Sequence, residues 1–318
     1  MHKNLKTIGE FGLIDRISSM FEVPSDVCGI GDDCAVIPQG NGKDLLVSTD
    51  LLVEGIHFLR GAITAELLGR KSVAVNLSDV AAMGGCPTGT FLSIALPEDV
   101  DVEWMEGFMR GYHAISSEYG VPLLGGDTTS SLSGICINVA VIGECPSGRA
   151  KMRSAAKPGD LICVTGTLGD SAGGLQMILS GIPSEMYPHL IDRHLNPTPR
   201  VKEGLELSGC GGVHAMMDIS DGIGSDLRHI LKASACGAVV DVAAIPVSSE
   251  LKAFCETYAR DFLELSAGGG EDYELLFTLD PGYISEVRIP FSVIGEIVSG
   301  SSVEWKGTNK ELIGFKHF

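Results

Sequence analysis

Residues 64–85 read TAELLGRKSVAVNLSDVAAMGG. Thr64 is an N-cap type, and Gly84-Gly85 followed by Pro87 is a stop signal, so the spacing predicts one helix from Thr64 to Met83. Upstream, Asp44 to Thr49 reads as a buried strand ending at Asp50; downstream, Thr90 to Leu96 reads as a second. Asp101 opens another helix, with Met105, Phe108, Met109 and Tyr112 at helical spacing, and Gly120 closes it. Val121 to Leu124 is a short strand into Gly125-Gly126-Asp127, and Ile135, Ile137, Val139 and Val141 alternate as a half-buried strand does. Together these segments make an α+β unit of a few strands and two main helices.

A break at Pro146-Ser147-Gly148 precedes a change of pattern. Lys157-Pro158-Gly159-Asp160 turns into a strand from Leu161 to Thr165, and an apolar helix runs from Ser171 to about Leu179. A helix begins at Ser220-Asp221, with Leu227, Ile230 and Leu231 on one face. Val239 to Val242, Tyr273 to Leu279 and Phe291 to Ile297 are further strands. The expectation is a two-domain chain: residues 1–148 as an α+β domain and residues 149–318 as an α/β domain.

Composition narrows the function. The chain has 318 residues, of which 44% are hydrophobic, enough for a substantial core. No apolar run is long enough to cross a bilayer, and Met1-His2-Lys3-Asn4-Leu5 carries no secretory signal. Nine dispersed cysteines with no Cys-x-x-Cys pair suit reduced thiols in a cytoplasmic protein. A formal net charge of −18 argues against nucleic-acid binding. It also opposes any phosphate-bearing substrate unless divalent cations bridge carboxylates to phosphates.

The aspartates are the strongest chemical signal. They occur as Gly31-Asp32-Asp33, Ser48-Thr49-Asp50, Ser78-Asp79, Gly126-Asp127 and Asp218-Ile219-Ser220-Asp221. Each group lies at the end of an expected strand or helix, beside Gly, Ser or Thr. There the backbone approaches closely and hydroxyls add oxygen ligands, which is what magnesium requires. The bland reading of any single one is an N-cap or turn residue. Gly166-Thr167-Leu168-Gly169-Asp170-Ser171 follows a strand and opens a helix, so its amides could meet an anion. It matches no nucleotide-binding fingerprint, and a tight turn is the simpler reading. Gly268-Gly269-Gly270-Glu271-Asp272 reads as a flexible turn, with Glu271 an ordinary surface acid. His57 pairs with no second ligand at metal spacing, and no Ser-His-Asp or Cys-His arrangement follows from spacing. Arg149, Lys151 and Arg153 lie at the domain junction, where a basic group could meet phosphate.

These segments together resemble the thiamine-monophosphate kinase family of the aminoimidazole-ribonucleotide synthetase-like superfamily. The resemblance rests on Gly9-Glu10-Phe11, Gly29-Ile30-Gly31-Asp32-Asp33, Gly55-Ile56-His57-Phe58, Ala74 to Gly84, Gly125 to Thr129, Arg153-Ser154, Asp218 to Gly222 and Gly269 to Glu274. It implies transfer of the γ-phosphoryl of ATP to thiamine monophosphate, the last step of thiamine diphosphate synthesis. By the same resemblance, Asp33, Ser48, Thr49, Asp50, Asp79, Asp127, Asp218 and Asp221 ligate several magnesium ions. Gly126, Asp127, Arg153 and Ser220 contact ATP, and His57, Glu271 and Phe315 line the thiamine phosphate pocket. The adenine-side aromatic of the family falls near Arg110 or Tyr112. The resemblance also implies a homodimer whose N-terminal domains share a β-barrel.

Two rival functions follow. Another ATP-using member of the superfamily, of the purine-synthesis or selenophosphate type, would share the aspartates but leave Gly55-Ile56-His57-Phe58 and Gly270-Glu271-Asp272-Tyr273 without a purpose. Selenophosphate chemistry would also want an N-terminal cysteine, and the first 27 residues contain none. A non-catalytic cation-binding protein is the other, but no EF-hand loop is present.

Overall fold

The computed structural model describes residues 5–315. The N-terminal Met1 to Asn4 and the tail Lys316 to Phe318 lie outside the described residues. The first half runs α1 (Leu5–Ser18, broken at Gly9 with φ +65), β1 (Ala35–Pro38), β2 (Lys43–Val53), α2 (Ala65–Ala82), β3 (Cys86–Leu96), α3 (Val102–Tyr119), β4 (Leu123–Ser130) and β5 (Cys136–Pro146). The second runs β6 (Leu161–Val164), α4 (Asp170–Ser180), α5 (Pro188–Leu195), α6 (Val201–Gly209), β7 (Val213–Asp218), α7 (Ile223–Ser234), β8 (Gly237–Asp241), α8 (Ser249–Tyr258), α9 (Phe262–Gly268), β9 (Leu275–Leu279), β10 (Ser292–Val298) and β11 (Val303–Lys306).

The strands form two sheets of mixed pairing, in the orders β1-β2-β5-β3-β4 and β11-β8-β10-β6-β9-β7. The expected caps form: Thr64 Oγ1 accepts from Leu67 N at 3.2 Å and Asp101 Oδ1 from Trp104 N at 2.7 Å, while Gly120 adopts φ +67. In β5 the alternation places Ile137, Val139 and Val141 inside. Helix α2 runs between the layers. Its core reaches both sheets, from Ile137 and Val139 of β5 to Met216 and Phe277 of β7 and β9. At Gly69 an added Cβ would lie 2.0 Å from Phe108 O, and at Gly111 one would lie 1.8 Å from Glu66 O. Those two glycines therefore let α2 and α3 touch backbone to backbone.

Several sequence expectations need correction. Asp50 does not end its strand, because β5 continues to pair with β2 as far as Val53↔Cys136. Gly125-Gly126-Asp127 is not a loop but the middle of β4, paired with β3 through Ser93↔Asp127. Asp79 opens the last turn of α2, near the helix end as expected. Helix α7 starts at Ile223, so Ser220 and Asp221 sit in the turn before it. The cysteines are all free, as reduced thiols should be. Among the described residues no helix is long and apolar enough to cross a membrane.

Candidate active site

A cleft of about 650 Å³ opens where α2 faces the second sheet. Its walls come from the end of β2 with the Gly55–Phe58 loop, from one stripe of α2, from α4, from the end of β7 with Ser220 and Asp221, and from the Gly268–Tyr273 loop. Lys71, Val75 and Asp79 all line it. They stand at i, i+4 and i+8, so one helix face carries them.

At the inner end, single carboxylate oxygens of Asp33, Asp79 and Asp218 lie within 4.8 Å of one another. Three elements far apart in sequence bring them there. Serine hydroxyls brace two of them: Ser48 Oγ donates to Asp79 Oδ2 and Ser78 Oγ to Asp218 Oδ2, each at 2.5 Å. Arg153 Nη2 donates to Asp33 Oδ1 at 2.5 Å, and Arg153 N to Asp32 Oδ1 at 2.6 Å. The electrostatics are those of crowded, buried carboxylates. Burial pushes the Asp218 carboxyl up to about 8, with Asp33 adding to the effect; burial and the Asp33 charge push Asp50 up to about 6. Asp79 is raised well above the ordinary range by burial and then by Asp50, Asp218 and Asp33. Asp33 is raised by burial against the pull of Arg153.

The residues present fit magnesium. Oδ2 of Asp33 is buried with no hydrogen-bond partner among the described residues, and the donor set is all hard oxygen. Strand alternation sorts the Ser48-Thr49-Asp50 run. Ser48 turns toward Asp79, Asp50 lines the cleft, and Thr49 points to the other face, where Oγ1 accepts from Asn138 Nδ2 at 2.7 Å and donates to Val139 O at 3.2 Å. Gly126 and Asp127 lie on β4, all of whose residues are exposed, outside the cleft lining and the three-carboxylate cluster. At Gly126 (φ +156) an added Cβ would lie 1.7 Å from Leu92 O.

His57, Glu271 and Phe315 line the outer part of the cleft, with Ile56, Leu175 and Leu179. His57 Nδ1 accepts from Val53 N at 3.0 Å, which leaves the proton of the neutral ring on Nε2. Phe315 is half exposed, and its amide donates to Asp221 O at 2.9 Å. Glu271 is no ordinary surface acid: its Oε2 accepts from Lys71 Nζ at 3.2 Å.

Three further readings are settled by contacts that spacing does not reveal. The amides at the start of α4 are occupied by the Asp272 carboxylate, which accepts from Gly169 N at 2.7 Å and from Ser171 N at 3.3 Å. Gly166–Ser171 is therefore the tight turn and not an anion loop. Tyr112 is sealed in the core with its hydroxyl on Thr90 Oγ1 at 2.8 Å, so it has no face for an adenine. Arg110 sits on the outer side of α3 beside Glu106 and His113. Sequence reasoning missed Lys71 altogether, although a cation four residues before Val75 on the apolar stripe of α2 is itself a signal.

The comparisons with known proteins agree with this geometry. The AIR synthase related protein N-terminal domain matches residues 31–145, and the AIR synthase related protein C-terminal domain matches residues 157–306. Thiamine-monophosphate kinase of Salmonella typhimurium is 44% identical over 91% of this chain and 90% of its own length. A solved structure described as AaThiL complexed with AMPPCP and TMP superposes with a TM-score of 0.92 at 37% identity, covering 100% of both chains. Thiamine monophosphate kinase of Aquifex aeolicus superposes with a TM-score of 0.85 at 35% identity, over 97% of this chain and 100% of that one. The chain belongs to the thiamine-monophosphate kinase family, within the AIR synthase related proteins.

Proposed function

We propose that this protein transfers the γ-phosphoryl group of ATP to thiamine monophosphate, giving thiamine diphosphate and ADP. The observation that carries the reading is the convergence of Asp33, Asp79 and Asp218 at the inner end of a cleft whose outer part offers His57, Glu271 and Phe315. Relatives named for this reaction, and a relative holding AMPPCP with TMP, support the choice of substrates.

The acceptor is a phosphate whose second pKa is about 6, so near neutrality it is largely a dianion and needs no general base. Asp33, Ser48, Asp50, Asp79, Asp218 and Asp221 are the candidate magnesium ligands at the cleft, and Thr49 and Asp127 are candidate ligands outside it. Bound magnesium supplies neutralisation of the crowded phosphate charge. Arg153, anchored on Asp33, adds a fixed positive charge, and Gly126, Asp127 and Ser220 complete the ATP side. His57, Glu271 and the Phe315 ring orient the acceptor for direct, in-line transfer.

Residues 1–148 form the ATP, magnesium and pairing unit, and residues 149–318 complete the cleft. A homodimer through the first sheet is supported by its fully exposed edge strand β4 and by the exposed Phe91, Leu123 and Leu124. The free cysteines suit a cytoplasmic setting. The test is ADP release across a panel of acceptors with magnesium and ATP. Turnover with thiamine monophosphate is the expected result; turnover only with a purine-synthesis or selenium substrate replaces this reading.

A further inference from the structure

Lys71 is the one charged side chain on the buried face of α2 that the reaction as derived above leaves without a task. It is 1% exposed, and an ammonium so placed persists only with partners. Its partners both belong to the second half of the chain: Glu271 Oε2 at 3.2 Å and His194 O at 3.0 Å. His194 is not a rival cation. Burial, followed by the Lys71 charge, lowers its imidazole to about 4, so the 3.4 Å approach of its Nδ1 to Glu271 Oε2 is a polar contact between a neutral ring and a carboxylate. Ser171 Oγ stands 3.1 Å from the same nitrogen.

The backbone beneath Glu271 is equally constrained. Glu271 has φ +63, a left-handed conformation rare for a non-glycine residue. Its amide donates to Ser220 O at 2.7 Å. At the preceding Gly269 and Gly270 an added Cβ would lie 2.3 Å from Leu265 O and 2.4 Å from Ser220 O. Such strain is held by surrounding contacts and gathers at functional positions. With the main chain pinned, what sets the direction of the carboxylate is the ammonium reaching across from α2.

We propose that Lys71 is a positioning residue for the acceptor: it holds the Glu271 carboxylate toward the cleft, where that charge meets the cationic thiazolium of the substrate. The proposal rests on the reaction inferred above. It makes Lys71 a determinant of acceptor affinity that leaves ATP binding alone, because the three-carboxylate cluster lies two helical turns further along the same stripe.

Steady-state kinetics of the full-length protein with each substrate varied in turn test it. Lys71→Met should raise KM for thiamine monophosphate about tenfold or more, with kcat and KM for ATP changed by less than about threefold. In the double variant Lys71→Met/Glu271→Gln, KM for thiamine monophosphate should equal that of Glu271→Gln alone, since Lys71 acts only through Glu271. An unchanged KM for thiamine monophosphate in Lys71→Met, or a parallel rise for ATP, overturns the proposal. If Lys71→Met does not fold, the charge-neutral double variant decides: a KM above that of Glu271→Gln overturns the proposal and equality supports it. Absence of turnover by the wild-type protein is a different failure, that of the reaction itself.

Discussion

Ser78 Oγ donates to Asp218 Oδ2 at 2.5 Å, linking the buried face of α2 to the last residue of β7. The two residues come from opposite halves of the chain, and their hydrogen bond ties the carboxylate cluster to both sheets. The cluster is thus assembled by the packing of the halves.

That assembly carries a cost of burying carboxylates, to which charge repulsion adds. Because the Asp218 carboxyl is raised to about 8 in the fold, the folded state holds more protons than the unfolded chain between about pH 4 and pH 8. Stability of the metal-free protein should therefore fall as pH rises through that window, and magnesium should restore it. Asp79→Asn should lower turnover about 100-fold or more. It should also abolish the magnesium-dependent rise in melting temperature at pH 8, while the metal-free variant melts no lower than wild type. Asp50→Ala should likewise lose turnover and stay folded. Calorimetry with and without magnesium, alongside the ADP assay, checks these outcomes; near-normal turnover of either variant at limiting magnesium contradicts them.

Asp272 should behave as a structural carboxylate. It is buried and accepts from two amides at the start of α4. Asp272→Ala orphans both donors and should cost about 2 kcal/mol in urea denaturation, whereas Asp272→Asn keeps an acceptor and should cost less. Burial raises this carboxyl to about 8, so its contribution is present at low pH and is lost as pH rises through that value. The stability gap between wild type and Asp272→Asn should accordingly narrow between about pH 4 and pH 8 and stay level above that.

His229 gives the opposite sign. Its ring lies 4.2 Å from that of Phe11, anchoring α1 on α7, and its Nε2 has no hydrogen-bond partner among the described residues. Burial, then Arg153 and Lys232, lower it to about 4. The unfolded chain binds the proton first, so stability should drop as pH falls from about 6.5 toward 4. His229→Phe keeps the ring contact and removes the titration. Between pH 7 and pH 5 it should lose about 2 kcal/mol less than wild type, measured by denaturant unfolding at both values.

Much of the first half was legible because its helices announce themselves. Thr64 and Asp101 cap them, Gly120 ends one of them, and the 135–141 alternation needs no partner to be read. Helices α5, α6, α8 and α9 escaped notice because each is short, at 8, 9, 10 and 7 residues, too few for an apolar repeat to stand out. The aspartates were legible as a set, each marked by Gly, Ser or Thr beside it, but which three meet depends on tertiary packing. Thr49 illustrates the limit: strand alternation puts it on the opposite face from Ser48 and Asp50, but which face meets α2 is set by tertiary packing. Lys71 was hidden for a stronger reason: its partners are 123 and 200 residues away.

The glycine contact between α2 and α3 has a consequence for how this protein can change. With Gly69 and Gly111 seated against opposing carbonyls, α2 can neither roll nor slide without a backbone collision. The spacing from Lys71 to Asp79 is then a fixed gauge of roughly 12 Å, set by helical rise alone. A single-residue insertion between them would swing one end of the gauge about 100° out of the cleft. Any drift toward a longer or shorter acceptor must therefore be accommodated in the Gly55–Phe58 and Gly268–Tyr273 loops, while the helix keeps its measure.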